Sequence, residues 1–274
     1  MNNVKYFAFI LVFCKTFIIS LSLNSTVSLA SEWSKTELFY QQGKLHTPSF
    51  AGGGKHATTI MTLQHASGWK YGDNFFFVDH LNDGNLDGFS DNDIYGEIYL
   101  HFSAKKIFDT KMSPKFIKDV GLVAGINAGA DPNVIKYLPG VRISWDVPGF
   151  DFLNSDITAY IDNNDGLRDG TTNAPSEEDS FMIDISYGYP FSIGEYDFSI
   201  VGHMEYIHER KNQLGDTVHS WFLAQPQLRL DVGKVFANKP NTVFAGIKWQ
   251  YWQNKLGDKT TDENVIMALL VWRL

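Results

Sequence analysis

Hydrophobic and polar residues alternate along most of the chain after residue 30, in short segments that end at clusters of Gly, Pro, Asn and Asp. A period of two is typical of β-strands that have one apolar and one polar face. The alternation predicts twelve strands, over residues 34–45, 57–66, 72–81, 92–103, 118–129, 137–147, 153–162, 180–189, 196–209, 217–231, 242–254 and 263–274. Twelve is even, as a bacterial barrel with both termini on one side requires.

The two faces of these strands favour a transmembrane barrel over a soluble β-sandwich. In strand 242–254 the apolar face carries Val243, Ala245, Ile247, Trp249 and Tyr251, and the polar face carries Lys248, Gln250 and Asn254. The polar face of a sandwich strand meets bulk water and needs no pairable acids and bases on strand after strand. We therefore predict an all-β fold, an antiparallel up-and-down barrel of about 12 strands with its apolar faces toward lipid.

Aromatic residues crowd the predicted strand ends, as in the aromatic girdles of membrane barrels. The candidates for such girdles are Trp33, Trp145, Tyr187, Tyr189, Trp221, Trp249, Tyr251 and Trp272. With the N-terminus in the periplasm, the acid-rich connections fall mainly on the outer side, for example at 82–91 and 163–179. The periplasmic turns are mostly short, although 104–117 and 232–241 are longer than a minimal turn.

The first thirty residues have the features of a cleavable signal peptide. Lys5 supplies a positive charge, residues 7–23 are mostly apolar, and Ser28-Leu29-Ala30 matches the small-x-small cleavage pattern. A membrane-anchoring helix is the alternative, but Lys15 interrupts the apolar run. We expect a signal peptide over 1–30 and a barrel domain over 31–274, located in the Gram-negative outer membrane.

Charge and cysteine content narrow the possible functions. The chain carries 31 acidic and 23 basic residues, and removal of residues 1–30 would also remove two lysines and Cys14, the single cysteine. An acidic protein of this kind lacks the basic footprint that nucleic acid binding needs. Neither a metal-binding motif nor a nucleophile elbow is evident. We expect no cofactor, no bound metal, no nucleic acid partner and no enzymatic activity.

One region of the sequence resembles a known family. Residues 64–79, Gln-His-Ala-Ser-Gly-Trp-Lys-Tyr-Gly-Asp-Asn-Phe-Phe-Phe-Val-Asp, followed by Tyr95-Gly96-Glu97, are similar to the nucleoside-specific channel-forming outer-membrane proteins, the Tsx and OmpK group. Tyr137-Leu138-Pro139-Gly140 and Pro148-Gly149-Phe150 look like the same layout. The resemblance implies a monomeric twelve-stranded barrel in contact with outer-membrane lipids, through which nucleosides and deoxynucleosides diffuse.

Strand parity then identifies the residues expected to face the lumen. In strand 72–81, Asp73 and Asp79 share a face with Phe75 and Phe77, which suits a nucleoside because a base can stack on the rings and ribose hydroxyls can donate to a carboxylate. Alternatively, the rings fill space and the acids form structural ion pairs. The other candidates for solute contact are Tyr95, Glu97, Tyr99, Arg142, Asp146, His203, Glu205, Arg229 and Lys248.

Three other functions remain open at this stage. An outer-membrane lipid-acting hydrolase would need Ser and His together on the lipid face, where parity places only His65, His80 and His208. A structural or receptor barrel would lack nucleoside specificity. A soluble periplasmic β-protein would need no detergent for extraction.

Overall fold

The computed structural model describes residues 31–85, 89–168 and 173–274. The predicted signal peptide at 1–30 lies outside the described residues. All named strands are antiparallel to their neighbours. The strands are β1 Trp33–His46, β2 Lys55–Trp69, β3 Gly72–Asn82, β4 Asp93–Ser103, β5 Ile117–Gly129, β6 Val134–Trp145, β7 Phe152–Asp162, β8 Ser180–Ile193, β9 Tyr196–Ile207, β10 Arg210–Lys211, β11 Thr217–Val218, β12 Trp221–Ala224, β13 Gln227–Asp231, β14 Val243–Gln253 and β15 Glu263–Arg273.

The main sheet closes on itself because β1 pairs with both β2 and β15. β12 and β13 act as one strand: both lie between β9 and β14 in a single register, and the ladder is interrupted only near Pro226, which has no N–H to donate. The barrel therefore has twelve strands, which confirms the predicted fold class. Among the strands of the described residues, β10 and β11 form a separate two-stranded hairpin.

The two ends of the barrel differ in their connections. One end holds the start of β1, the end of β15 and the shorter turns, such as 70–71 and 194–195, which is the periplasmic pattern. Two turns at this end contain short helices, α1 Ala104–Phe108 and α2 Val232–Ala237. The opposite end carries the longer loops.

The outer wall of the barrel is apolar. Large hydrophobic side chains are exposed there, among them Ile98, Leu122, Val141, Ile157, Ile183, Leu228, Ile247 and Leu270. Such a belt would be unfavourable in water, whereas hydrocarbon accommodates it at no cost. Closure leaves no unpaired edge, as a spanning sheet requires. The chain is thus a transmembrane barrel of the Gram-negative outer membrane.

The helices of the structure are short. Among the described residues, no helix is both long and apolar enough to cross a bilayer.

The aromatic girdle holds for several of its predicted members and fails for two. Trp249 and Trp272 are exposed on the outer surface. Trp33 lies on the inward face of β1 with Lys35 and Glu37 and lines the interior of the barrel. Trp221 is instead 5% exposed and points into the barrel, where its indole Nε1 donates to Glu205 over 3.2 Å. The reason is parity, because Trp221 lies on the same face as Leu223, Gln225 and Gln227.

Candidate functional site: the polar bore

A cavity of about 3520 Å³ runs through the barrel. Side chains from both ends line this one cavity, from Lys35 and Asn241 at the periplasmic end to Ser90 and Lys259 at the outer end, so the passage is continuous. Twelve of the thirteen predicted site residues line it. They are Asp73, Phe75, Phe77, Asp79, Tyr95, Glu97, Tyr99, Arg142, His203, Glu205, Arg229 and Lys248.

The thirteenth residue, Asp146, lies outside the cavity. β6 ends at Trp145, two residues earlier than predicted, and the chain turns at Pro148 and Gly149. Asp146 is exposed in this turn, and its backbone N–H donates to the Phe116 carbonyl over 2.8 Å. The parity rule does not apply beyond the end of the strand, which is why the prediction placed Asp146 incorrectly in the lumen.

A row of aromatic rings follows one side of the bore. The ring centroids of Phe75 and Phe77 are 6.1 Å apart, and those of Phe77 and Tyr95 are 6.0 Å apart. The row arises because Phe75 and Phe77 are two residues apart on β3, while Tyr95 lies in the adjacent β4. We call these three residues the aromatic row.

Carboxylates border the aromatic row. Glu97 accepts hydrogen bonds from the Tyr95 hydroxyl at 2.5 Å and from the Tyr99 hydroxyl at 2.8 Å. Asp79 accepts from the Thr62 hydroxyl at 2.5 Å. The row therefore combines π-faces with hydrogen-bond acceptors on one side of the passage.

A chain of hydrogen bonds follows the opposite wall and ends at the outer loop after β14. His203 lies 3.1 Å from Asp184 and 3.1 Å from the Gln225 amide oxygen. Gln225 donates to Gln250 over 2.8 Å, and Gln250 donates to Glu263. The chain continues to Lys255, 2.9 Å from Glu263. Because each amide is held by its neighbours, the wall presents polar groups in fixed orientations.

Arg142 forms a buried ion-pair cluster near the aromatic row. Its guanidinium makes two bonds of 2.7 Å to Asp156 and one of 3.1 Å to Asp73. Asp73 also lies 2.8 Å from His101. This bidentate geometry is the strong form of an arginine–carboxylate pair. Asp73 and Arg142 are thus tied to the wall, whatever further contact they make with a solute.

A second ion-pair cluster lies at the outer mouth. Arg210, in β10, lies 2.8 Å from Glu177 and packs between the Tyr160 and Trp221 rings at 5.1 and 4.5 Å. Lys136 bonds Glu177 at 2.6 Å and Asp162 at 3.0 Å. We call Lys136, Asp162, Glu177 and Arg210 the mouth cluster. It links the β10–β11 hairpin and the 173–179 segment to the barrel wall at β6.

Sequence reasoning missed the mouth cluster. Lys136 was assigned to a loop, although it lies six residues before Arg142 and so shares its face by the period of two. A predicted strand that began at residue 134, as β6 does, would have included Lys136. Arg210 had no such signal, since it lies outside the main strands and reaches the bore only through tertiary packing.

At the periplasmic end, Glu37 holds two arginines. Arg229 lies 3.2 Å from one carboxylate oxygen, and Arg273 lies 2.7 Å from the other. Arg229 also donates to Gln227 over 2.8 Å and packs 5.1 Å from the Phe39 ring. Arg229 is therefore a structural element of the wall.

Lys248 is a different kind of basic group. It is 4% exposed and lies in the wall between Gln227 of β13 and Met267 of β15. It lines the bore, and among the described residues it forms no ion pair within 4.0 Å. Its ammonium group thus differs from the guanidinium groups of the wall arginines, which are bonded to carboxylates.

Some ionisable groups in the outer loops have displaced pKa values. Partial burial raises the pKa of Asp258, but hydrogen bonds from Ser49, Thr261 and Thr260 outweigh it and hold that pKa well below its ordinary value. The Ser49 N–H donates to Asp258 over 2.6 Å. Partial burial and the nearby Asp91 charge raise the pKa of Asp131. Asp258 thus stays ionised and joins the first and last outer loops.

The outward histidines show no catalytic arrangement. His65 lies 2.8 Å from the Thr36 hydroxyl and stacks on Phe76, and His80 lies 2.6 Å from Asn92. His208 stacks on Phe181. Among the described residues, no serine hydroxyl is hydrogen-bonded to these imidazoles, and no group of three His, Cys, Asp or Glu side chains could hold a metal ion.

Comparison with known proteins gives structural likenesses only. No family model and no curated protein matches the chain. The NanC porin is 15% identical with a TM-score of 0.49, over 86% of this chain and 100% of that chain. The KdgM porin is 8% identical with a TM-score of 0.43, over 86% and 98%. The translocator domain of autotransporter NalP from Neisseria meningitidis is 11% identical with a TM-score of 0.40, over 96% and 95%.

The strand pairing, the apolar outer belt and the continuous polar bore of this chain make it a porin-like transmembrane barrel.

Proposed function

We propose that this protein is a passive outer-membrane channel for small solutes and that nucleosides are its favoured cargo. The observation that carries the proposal is the aromatic row, bordered by carboxylates and set in a continuous bore with hydrogen-bonding amides on its other side.

The chemistry of a nucleoside matches these two walls. Its base has a flat π-face that can stack on Phe75 or Phe77, and stacking of this kind tolerates different bases. Its ribose hydroxyls can donate to Asp79 or Glu97. The half-buried amide of Gln225, which faces the bore, can bond the polar edge of the base.

The arrangement also suits rapid release. Conduction requires sites weak enough for the solute to leave. Arg142, Arg210 and Arg229 are each bonded to a carboxylate of the wall, so none of these guanidinium groups is free to form a deep charged pocket. Stacking and neutral hydrogen bonds then dominate the contacts that a solute would make.

The sequence resemblance adds support from the same place in the fold. Its strongest segment, residues 64–79 with Tyr95-Gly96-Glu97, forms β2, β3 and β4, which contain the aromatic row and Glu97. The residues similar to the nucleoside-specific family are therefore the ones that we assign to solute contact.

The test is flux into liposomes containing the purified protein. We expect adenosine and thymidine to enter faster than glucose, a sugar of smaller mass. Equal rates for nucleosides and glucose would leave a channel without nucleoside preference, and no flux of either would indicate a structural or receptor barrel.

A matched pair of variants locates the preference. Replacing Phe75 and Phe77 by alanine should lower adenosine affinity about fivefold per ring, because a stacked base contributes about 1 kcal/mol or more. Phe76→Leu is the control, since Phe76 is on the same strand and faces His65 on the outer surface. Equal behaviour of both variants would contradict the assignment.

A further inference from the structure

Two turns at the periplasmic end contain the same short motif. In α1, the Ser103 hydroxyl caps the helix by accepting from the Lys106 N–H over 3.0 Å. In α2, Asp231 accepts from the Lys234 N–H over 2.9 Å. Each capped lysine is followed by a β-branched residue and a phenylalanine, Ile107-Phe108 and Val235-Phe236.

The two helices lie on opposite sides of the barrel rim. α1 follows the fourth of the twelve barrel strands, and α2 follows the tenth, which is formed by β12 and β13. Six strands separate them in either direction around the closed sheet. Two matching elements are thus placed half a circumference apart.

Both helices expose their phenylalanine. Phe108 is 74% exposed and Phe236 is 84% exposed, and neither lines the bore. Fixed contacts hold the helices: Lys106 is bonded to Glu32 at 2.7 Å and to the Trp69 carbonyl at 2.8 Å. Lys234 is bonded to Asp197 at 2.7 Å. The rings are therefore held away from the bore by ordered turns.

The turns that carry these rings contain more lysines than acids. Segment 104–118 contains five lysines and one acid, Asp109, and segment 232–242 contains two lysines and no acid. Lys111, Lys115 and Lys239 are exposed beside the helices. The outer loops have the opposite balance. An exposed ring among lysines is the composition of a segment that binds an anionic lipid surface.

The helices also continue the lipid-facing belt. Phe102 lies two residues before α1 on the outer wall, in edge contact with Trp69 at 5.8 Å. Leu230 precedes α2 and shares the outward face of Leu228. The exposed rings therefore begin where the membrane-embedded wall ends.

We propose that α1 and α2 are a pair of interfacial anchors that bind anionic phospholipid headgroups of the periplasmic leaflet. Phe108 and Phe236 insert at the boundary between headgroups and acyl chains, and the neighbouring lysines contact phosphate groups. Because the two anchors lie across the barrel from one another, together they fix its depth and resist tilting.

The test places a fluorescent label at each anchor of the full chain, in a background in which the single cysteine is replaced, Cys14→Ser. The labelled variants are Phe108→Cys and Phe236→Cys, with Leu214→Cys in the outer hairpin as the control, since Leu214 is also exposed. Quenching by brominated acyl chains is measured in vesicles of phosphatidylcholine, with and without phosphatidylglycerol. Mobility on semi-native gels, which does not depend on transport, verifies that each variant has folded.

We expect both anchor labels to be quenched at least twice as strongly as the Leu214→Cys label, and more strongly with phosphatidylglycerol present. Replacing Lys111, Lys115 and Lys239 by glutamine should remove the phosphatidylglycerol effect while the quenching by acyl chains remains. Anchor labels no more quenched than the control would overturn the proposal. Equal quenching in both lipid mixtures would overturn the assignment of an anionic headgroup.

Discussion

Arg142 shows how a single charged residue can be confined to the bore. An unpaired charge facing lipid would be costly near the membrane midplane, so parity alone placed Arg142 inside. The structure adds its partners, which could not be predicted from the sequence. Asp156 lies 14 residues after Arg142, and Asp73 lies 69 residues before it. The facing of a residue follows from a local period, whereas its partner depends on how the strands meet across the barrel.

Arg142→Met should destabilise the barrel, because it leaves the buried Asp156 carboxylate uncompensated. Breaking a buried pair of this kind costs about 3 kcal/mol. Urea unfolding in lipid vesicles measures the change. Arg168→Met is the control, since Arg168 and Asp165 are both more than half exposed and such a pair contributes under about 1 kcal/mol. Equal losses of unfolding free energy in the two variants would show that the Arg142 cluster does not stabilise the barrel.

At the scale of elements, the strands were predictable and the inward-folded loops were not. Alternation located all twelve barrel strands, because each strand has one face in lipid and one in the bore. The β10–β11 hairpin was divided between a loop and a strand, since its two-residue strands are too short to show a period. The helices α1 and α2 were seen only as long turns, for the same reason.

Arg210→Ala tests whether the hairpin narrows the outer mouth. The variant removes the side chain packed between Tyr160 and Trp221, while Glu177 keeps its bond to Lys136. We therefore expect higher single-channel conductance and a stability loss of only about 1 kcal/mol. Lys211→Ala, at the next and exposed position, should leave the conductance unchanged. A decrease in conductance with Arg210→Ala would mean that the arginine holds the mouth open.

The first and last outer loops are joined at Asp258, and this contact should depend on pH. Hydrogen bonds from the folded loops lower the Asp258 pKa, so the ionised carboxylate stabilises the contact fully at pH values above the ordinary carboxyl pKa. This stabilisation is lost as the pH falls through the lower pKa of the folded protein. At neutral pH, Asp258→Asn should therefore act as acid does, speeding hydrogen exchange at the Ser49 amide about fivefold, for a loss of about 1 kcal/mol.

Hydrogen-exchange mass spectrometry of residues 47–54 measures this effect. Asp165→Asn, in a different outer loop, serves as the control and should leave the exchange unchanged. Unaltered protection of Ser49 in Asp258→Asn would show that the loops are held together by other contacts.

For the whole molecule, closure depends on the seam between β1 and β15. Beyond the strand pairing, Glu37 bonds Arg273 of β15 and Arg229 of β13, and the Leu274 N–H donates to the Thr36 carbonyl over 3.0 Å. The even strand count predicted that both termini would lie at one end. The three-residue ion pair across the seam required the assembled barrel, because its members lie at positions 37, 229 and 273.

Glu37→Gln should lower the temperature at which the folded barrel is lost on semi-native gels. The carboxylate is buried between two arginines, and its loss leaves buried Arg229 without a counter-charge, at a cost of about 3 kcal/mol. Glu32→Gln is the control, because the Glu32–Lys106 pair is exposed. A seam that depends on backbone pairing alone would give the same melting temperature for both variants.

We propose that nucleosides pass through the bore in contact with the aromatic row. Single-channel recording in a planar bilayer tests it most directly, since a solute that occupies the bore reduces the ion current. We predict that adenosine lowers the current in a concentration-dependent manner, that glucose does so less, and that the Phe75→Ala, Phe77→Ala double variant loses the adenosine effect. An open-channel current that adenosine leaves unchanged at millimolar concentration would contradict the account.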